Sequence, residues 1–445
     1  MTSSHALSPS TPAHAVIIGA GASGLMTAIS IGRALESAGV DPKSYNIVLL
    51  DGAKKIGIKI LVAGGGRCNV THHAVDEHQY ATTKPAIVRS TLKRFSADDS
   101  INFFHGLGVE LKLEDTGKMF PVTDSAHTVL DALLAEVRRL GIRIMNPCRV
   151  ESVTQSESSF VIHSQDPDQV SIHAEHLVLA VGGKALPKSG SDGQGYSLAH
   201  ALGHSVTDYI FPALVPLVAD QRSQWIRELS GISARASISV LSSTNKRLKT
   251  FTNDLLCTHF GLSGPGPMDI SRFLTDAKRN DRDTRLEINW VPSHTFESID
   301  QELTSLGKQQ VSTYLRSSLP ERLARALCEQ CEIDPTTPGN ALTREHRRAL
   351  AHLIVSCPVY IQSDRGFTHA EVTAGGVPIE EVNRKNFASK KCQNLWLVGE
   401  ILDIDGRIGG FNFQWAWSTG FIAGNSIAKS MIQSGLLPEQ SNLNS

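Results

Sequence analysis

The chain changes its hydrophobic period several times, and each change marks an element. Residues 15–18 (AVII) form a continuous apolar run of the kind a buried parallel strand needs. A glycine-rich break follows, then LMTAISIGRALESAG, whose apolar positions recur every three to four residues as on one helix face. A second apolar run, NIVLLD, ends at Asp51, and HLVLAVGG and LWLVG repeat the pattern of a strand running into glycine. Between these last two the texture shifts. Residues 206–295 carry short β-type runs such as ASISVL and RLEINWV, and 296–352 read as helical (LTSLGKQQVSTYLRSSLPERLARALCEQ, TREHRRALAHLIV). Strands return from 353. The pattern predicts an α/β domain split around an insertion: a polar tail at 1–13, a first part at 14–205, a β-rich insert at 206–295, a helical insert at 296–352, and a second part at 353–445.

The first break is Gly19-Ala-Gly21-Ala22-Ser23-Gly24, between a strand and a helix. Gly19 allows the tight turn, Gly21 lets a pyrophosphate approach the backbone, and Gly24 lets helix and strand pack closely. The helix start then offers unpaired N–H groups to the phosphates. Asp51, at the end of the next strand, suits a ribose diol, although GVDPKSYN lengthens the connection. Strand, turn, helix, strand and terminal acid together predict a bound dinucleotide. The fingerprint occurs once, so any second dinucleotide docks transiently.

Three further blocks extend the expected cofactor set. In KILVAGGGRCNVT, Gly64, Gly65 and Gly66 expose backbone N–H groups to an anionic or planar ligand, Arg67 adds a fixed charge, and Cys68 and Asn69 adjoin. Val150 and Gly182 belong to the set, Gly182 in a glycine turn that ends a buried strand. After LWLVG, Gly399 leads into Glu400, Asp403 and Asp405, of which Glu400 is the first choice for ribityl hydroxyls and Asp405 a further contact. Gly409-Gly410-Phe411-Asn412 opens a helix whose positive end suits the pyrimidine edge of a flavin. Trp415 and Trp417 read as packing residues. No metal is expected: His200 and His204 are spaced i, i+4 without a third ligand, and the Cys328–Cys331 CxxC lies in a helix-forming stretch with no second pair.

Taken together, GAGASGLMTAI, KILVAGGGRCNVT, GKMFPVTDSAHTVLDAL, VLAVGGKALPKSGSDGQGYSLAHALGH, CTHFGLSGPGPMDIS, AEVTAGGVPIEEVN and VGEILDIDGRIGGFNFQWAWSTG resemble bacterial flavoproteins usually labelled NAD(P)/FAD-dependent oxidoreductases or aminoacetone oxidase-like proteins. That group also contains a bile-acid enone reductase and the flavoenzyme that makes dihydrouridine in large-subunit ribosomal RNA. The resemblance implies FAD as cofactor and a two-part Rossmann-type FAD-binding domain interrupted by a β-rich domain and a helical domain. The longer first crossover and the polar tail depart from the pattern.

The expected chemistry is reduction of an activated C=C bond, with hydride passing from reduced flavin N5 to the β-carbon and an acid protonating the α-carbon. NAD(P)H is the expected transient donor. Uridine in ribosomal RNA leads the substrates, with a small-molecule enone or an amine or aminoketone oxidase reaction as alternatives, and a flavin-bound assembly factor as a non-enzymatic one. Cys68 and His259 are the candidate acids. Composition adds constraints: the 445-residue chain has a formal charge of −1 and 41% hydrophobic residues, which gives no global attraction to polyanions. An RNA partner therefore needs a local basic face, and Lys278, Arg279, Arg282 and Arg285 with Arg344, Arg347 and Arg348 are the candidates, diluted by Asp276, Asp281, Asp283 and Glu345. No run reaches the ~20 apolar residues of a membrane span. MTSSHALSPSTPA has no basic start or apolar stretch, so no leader is expected. Seven scattered cysteines suit the reducing cytoplasm.

Overall fold

The computed structural model describes residues 12–156, 159–166 and 171–433; most of the polar tail expected at 1–13 lies outside them. The chain divides into two units, one running to Ile210 and resuming at Val372, the other spanning Phe211–Glu371.

The first unit is built on a parallel sheet. Strand β1 (Ala13–Ile18) pairs in parallel with β2 (Ile47–Leu50), and β2 with β3 (Arg143–Met145). On the other side of β1, the run Ile172–Leu179 pairs in parallel and aligns Ile18 with Leu179, while β2 aligns Leu50 with Ile18. The hairpin of β4 (Val150–Ser156) and β5 (Ser159–Ser164) leads into that run, β6 (Ile172–Leu179). The far edge of β6 is shared: its first residues pair antiparallel with β5, and its last three pair in parallel with β7 (Leu395–Leu397). Strands β1, β2, β7 and the end of β6 are buried on both faces, which is why they read as continuous rather than alternating. Their shared register brings the loops after Ile18, Leu50, Leu179 and Leu397 to one end of the sheet, where open α/β sheets bind ligands.

Helix α1 packs on the sheet, and the final helix packs closely on α1. Helix α1 (Ala22–Ser37) turns Ser23, Thr27 and Ser30 inward, and the long helix Phe411–Gln433 meets them with Gly420 and Gly424. A Cβ on Gly424 would stand 2.6 Å from the Thr27 carbonyl oxygen and 2.6 Å from the Ser30 Cβ. The helix axes approach because neither side chain nor Cβ intervenes.

The second unit holds an antiparallel sheet in the order Cys357–Val359, Arg285–Asn289, Ser233–Leu241, Arg247–Thr258, Gly261–Ser263, Leu217–Ala219, Ile361–Asp364. Helices Phe296–Ser305, Glu321–Glu329 and Arg344–Val355 share its core: Leu286, Ile288 and Trp290 cluster with Leu303, Leu323, Leu327 and Ile354. The expected β-rich and helical inserts are thus one body. Its edges also differ from the expected 206 and 353. Strands Cys357–Val359 and Ile361–Asp364 complete this sheet, so the first unit resumes at Val372. Period 2 identifies a strand but not the sheet it joins.

Gly424→Ala is expected to lower stability by about 1–3 kcal/mol, since both near neighbours are backbone or short side chain and cannot move aside. Chemical denaturation of the purified protein measures it.

Candidate cofactor and active site

The glycine turn after β1 is held from three directions. Gly19, at φ +104°, donates its N–H to Leu50 O at 2.7 Å, and a Cβ there would stand 2.4 Å from Ala180 O. A Cβ on Gly24 would stand 1.8 Å from Gly19 O. Asp51 supplies the third constraint: its Oδ2 accepts from Ala20 N at 2.7 Å and its Oδ1 from Ala53 N at 2.8 Å. Burial lifts the Asp51 carboxyl above the usual carboxylate range, although the two N–H donors oppose it. Asp51 therefore fastens the turn from below, and its remaining lone pairs are what a ribose diol could use.

Gly21 differs from its neighbours. Its φ of −81° and ψ of −167° suit any residue, and a Cβ there meets nothing within 4 Å. Neither backbone nor packing requires glycine at 21, so the open space beside it is room for a ligand. Helix α1 has no side-chain cap and no acidic residue in its first turn, leaving its N–H groups for an anion. This is a cradle that a dinucleotide diphosphate fits. Ala22 and Ser23 begin that turn, Ser23 buried with its Oγ against Gly399.

The second cradle is helical only at its start. Helix α2 (Ile58–Gly66) breaks at Ala63 (ψ 142°), and Gly64 and Gly65 turn left-handed at φ 58° and 70°, exposed together with Gly66. Lys59, in the first turn, reaches across to the strand-end loops: its Nζ donates to Glu400 Oε2 at 2.7 Å and to Ser191 Oγ at 3.0 Å. Glu400 Oε1 accepts from Thr373 N at 3.0 Å, and Thr373 Oγ1 accepts from Lys184 N and Ala185 N. The expected ribityl contact at Glu400 is thus already a partner in a network that includes Lys59, Ser191 and Thr373. Gly182 closes on Ser191, Gly399 donates its N–H to Thr419 Oγ1, and Val150 O accepts from Gln194 Nε2 at 2.8 Å.

Several expectations change. Arg67 does not offer a free charge: its Nη1 pairs with Glu114 Oε1 at 2.6 Å and Asp124 Oδ1 at 3.5 Å, and the guanidinium lies 4.0 Å from the Phe120 ring centroid. Cys68 is 0% exposed, and burial pushes its thiol up to about 12. Cys68 presents no surface to a group in the cradle. Asn69 is also buried, with its Oδ1 lacking a hydrogen-bond partner. Asp405 is not on an open turn: it is buried in the short strand Asp405–Gly406, which pairs with Tyr80–Ala81. His259 lies exposed in the second unit, on the turn between Arg247–Thr258 and Gly261–Ser263, edge-on to Phe260.

The last described helix, Phe411–Gln433, starts where expected. Gly409 and Gly410 lead in at φ 131° and 92°, and a Cβ on Gly410 would strike the Thr71 backbone at 2.7 Å. Asn412 closes the loop, its Oδ1 accepting from Gly406 N at 2.8 Å and its Nδ2 donating to Gly406 O at 2.9 Å. The Phe411 ring stacks on His72, and Tyr80 Oη donates to Phe411 O. Gln414 is fully buried, accepting from Thr71 and Ser100 hydroxyls and donating to Phe95 O and Ser96 O. Trp415 and Trp417 are buried, each donating its indole N–H to a carbonyl.

With this geometry the chain matches the HI0933-like protein Rossmann domain over residues 13–426. It belongs to that family. The HI0933-like chain is 32% identical over 417 residues to a 3-dehydro-bile acid delta(4,6)-reductase of Clostridium scindens, covering 93% of this chain and 98% of the relative. It is 30% identical over 421 residues to a ribosomal RNA dihydrouridine synthase of Haemophilus influenzae, with the same coverage. A 3-ketosteroid-delta4-(5alpha)-dehydrogenase of Rhodococcus jostii aligns over 96% of this chain and 99% of its own at TM-score 0.45 and 13% identity. The HI0933-like protein is an enzyme, an oxidoreductase.

The basic segments expected to face a polyanion are largely spent internally. Lys278 donates to Ile361 O, Arg279 pairs with Asp276, Arg285 donates to Asn245, and Arg347 pairs with Asp300 at 2.8 Å. Arg348 lies over Phe296. Of the histidine pair, His200 is exposed, while His204 is buried between Glu381 and Ser389 at 2.8 Å each. Among the described residues no group of three or more His, Cys, Asp or Glu is placed to hold a metal. No described helix is long and apolar enough to cross a membrane. Sequence reasoning missed Lys59 and Thr373; the strand-glycine pattern on either side of them was the available signal.

In native protein at pH 8, iodoacetamide is expected to label half-exposed Cys331 first and to leave Cys68 unmodified until denaturant is added. Site-resolved mass spectrometry reads this, and early labelling at Cys68 would restore it as a proton donor.

Proposed function

We propose that this protein is an FAD-dependent reductase of a carbon–carbon double bond conjugated to a carbonyl, with uridine in large-subunit ribosomal RNA as the leading substrate. One observation carries the reading. The likeness runs nearly end to end to relatives whose names denote reduction of such bonds, uridine in one and a bile acid in the other. A small-molecule enone is the second reading, favoured by the 32% identity to the bile-acid reductase. NAD(P)H is the proposed electron donor, docking transiently because the dinucleotide fingerprint occurs once.

Bound FAD would supply a ring that accepts two electrons and passes them on as hydride. The chain's own residues hold and orient it. The open space at Gly21 and the uncapped start of α1 support a diphosphate there. Asp51 and Val150 stand near the adenosine end of such a ligand in this reading, and the left-handed Gly64–Gly66 run offers backbone N–H groups to its planar part. Lys59 fixes Glu400 for the ribityl chain by taking one carboxylate oxygen, while Thr373 takes the other. Gly409, Gly410, Phe411 and Asn412 begin a helix with no acidic residue in its first turn, so its positive end favours charge gathered on the pyrimidine edge.

Deleting the gene is expected to remove one dihydrouridine from large-subunit ribosomal RNA, measured by nucleoside mass spectrometry, and the wild-type gene to restore it. Gly21→Glu is expected to fail to restore it. Because a Cβ at 21 meets no protein atom, that variant should melt like flavin-stripped wild type while lacking visible flavin absorbance. Unchanged dihydrouridine would move the substrate to a small enone, found by NAD(P)H oxidation.

A further inference from the structure

We propose that the first unit binds the RNA phosphate backbone on a basic face formed by the end of helix Pro85–Arg94 and the segment Arg384–Lys391. The proposal rests on the RNA reading above. The two pieces are nearly 300 positions apart in sequence, and the fold joins them: the Arg94 guanidinium donates to Lys385 O. Lys93 and Arg94 end the helix, and Arg384, Lys385, Lys390 and Lys391 are all exposed on the segment.

Asp98 and Asp99 are exposed just beyond Arg94, Asp99 accepting from Ser96, while the acidic residues beside the second piece are engaged. Glu380 pairs with Lys84 at 3.2 Å, a cation additional to those six. Glu381 is turned inward, accepting from His204 Nδ1, Ser205 N and Ser205 Oγ, and Lys391 approaches it only to 4.0 Å. Arg94 and Lys390 are tied to main-chain carbonyls, but among the described residues the side chains of Lys93, Arg384 and Lys385 have no hydrogen-bond or ion-pair partner, in contrast to Lys278, Arg279, Arg285 and Arg347 of the second unit. A chain of net charge −1 therefore gathers a local positive surface.

The mounting of the segment suits a rigid template. Asn383 Oδ1 accepts from Lys385 N at 2.9 Å and Asn386 Oδ1 from Ala388 N at 3.2 Å, fixing the loop, while Phe387 anchors it in the core at 0% exposure. Ser389 Oγ accepts from Lys391 N and Cys392 N and meets His204 Nε2. Lys390 Nζ donates to Glu380 O, closing the same loop. With the backbone ordered in advance, only the side chains lose entropy on meeting phosphates. A lipid surface fits less well, because none of the large apolar side chains exposed among the described residues (Val62, Leu113, Val122, Tyr209, Leu248, Leu256) lies on either piece.

The test uses the flavin-loaded full chain and a transcript of large-subunit ribosomal RNA, with filter binding over a series of salt concentrations. The triple variant Lys93→Glu, Arg384→Glu, Lys385→Glu is expected to bind roughly tenfold or more weakly, with a log–log salt slope smaller by about three. The control Arg282→Glu, Arg344→Glu is expected to bind as wild type. Flavin absorbance and melting temperature check integrity, and Lys93→Gln, Arg384→Gln, Lys385→Gln replaces the triple if it misfolds, with the same direction expected. Equal binding by wild type and an intact triple variant would overturn the surface and leave the RNA reading standing. A wild-type protein that does not bind the transcript, yet reduces a small enone, would overturn both. Binding to phosphatidylserine-containing vesicles that the triple variant loses, without RNA binding, would assign the face to a membrane and overturn the proposal.

Discussion

Backbone meets backbone where the first strand becomes the first helix, and the rest of the first unit is arranged around that contact. The space between Gly24 and the Gly19 carbonyl admits no Cβ, and the Gly19 N–H is committed to Leu50 O. Asp51 then draws Ala20 N toward the end of β2. These constraints set where α1 begins and how near it lies to the sheet. The long final helix must in turn carry Gly420 and Gly424 against Ser23, Thr27 and Ser30. A ligand cradle results as a by-product of tight packing: Gly21 is the one glycine of the turn beside which packing leaves open space.

The electrostatics around this cradle are mostly self-contained. Lys59 is answered by Glu400, Arg67 by Glu114 and Asp124, and Arg149 by Asp192 at 2.6 Å. Side-chain charges are thereby held in place rather than offered outward, and the groups left to meet an anion are backbone N–H donors at helix starts and left-handed glycines. Such dipoles are fixed before a ligand arrives, so little reorganisation accompanies binding.

What could be read in the sequence followed from local rules. The glycine turn, the buried parallel strands and the start of the final helix are each specified within about a dozen residues, by period and by glycine placement. What could not be read depended on partners far along the chain. Nothing local in Arg67 announces Glu114, and nothing in Lys59 announces Glu400, 341 positions away. Cys68 sits beside exposed glycines yet turns into the core at φ 61°. The strands at Cys357–Val359 and Ile361–Asp364 were legible as strands, but the sheet that claims them is decided by long-range pairing. Within the basic stretches at 278–285 and 344–348, nothing local announces the partners of Lys278, Arg279, Arg285 and Arg347.

Strand β6 has one edge divided between β5, close by in sequence, and β7, more than two hundred residues later. During synthesis this leaves the ribosome-bound chain with a half-covered strand, and with the small-residue face of α1 unsealed, until Leu395–Leu397 and the helix after it have emerged. The Phe211–Glu371 unit is continuous and can acquire its core in the interval. The cradle is therefore completed late in the life of each molecule, and a chaperone would act on a partly built sheet rather than on a finished one.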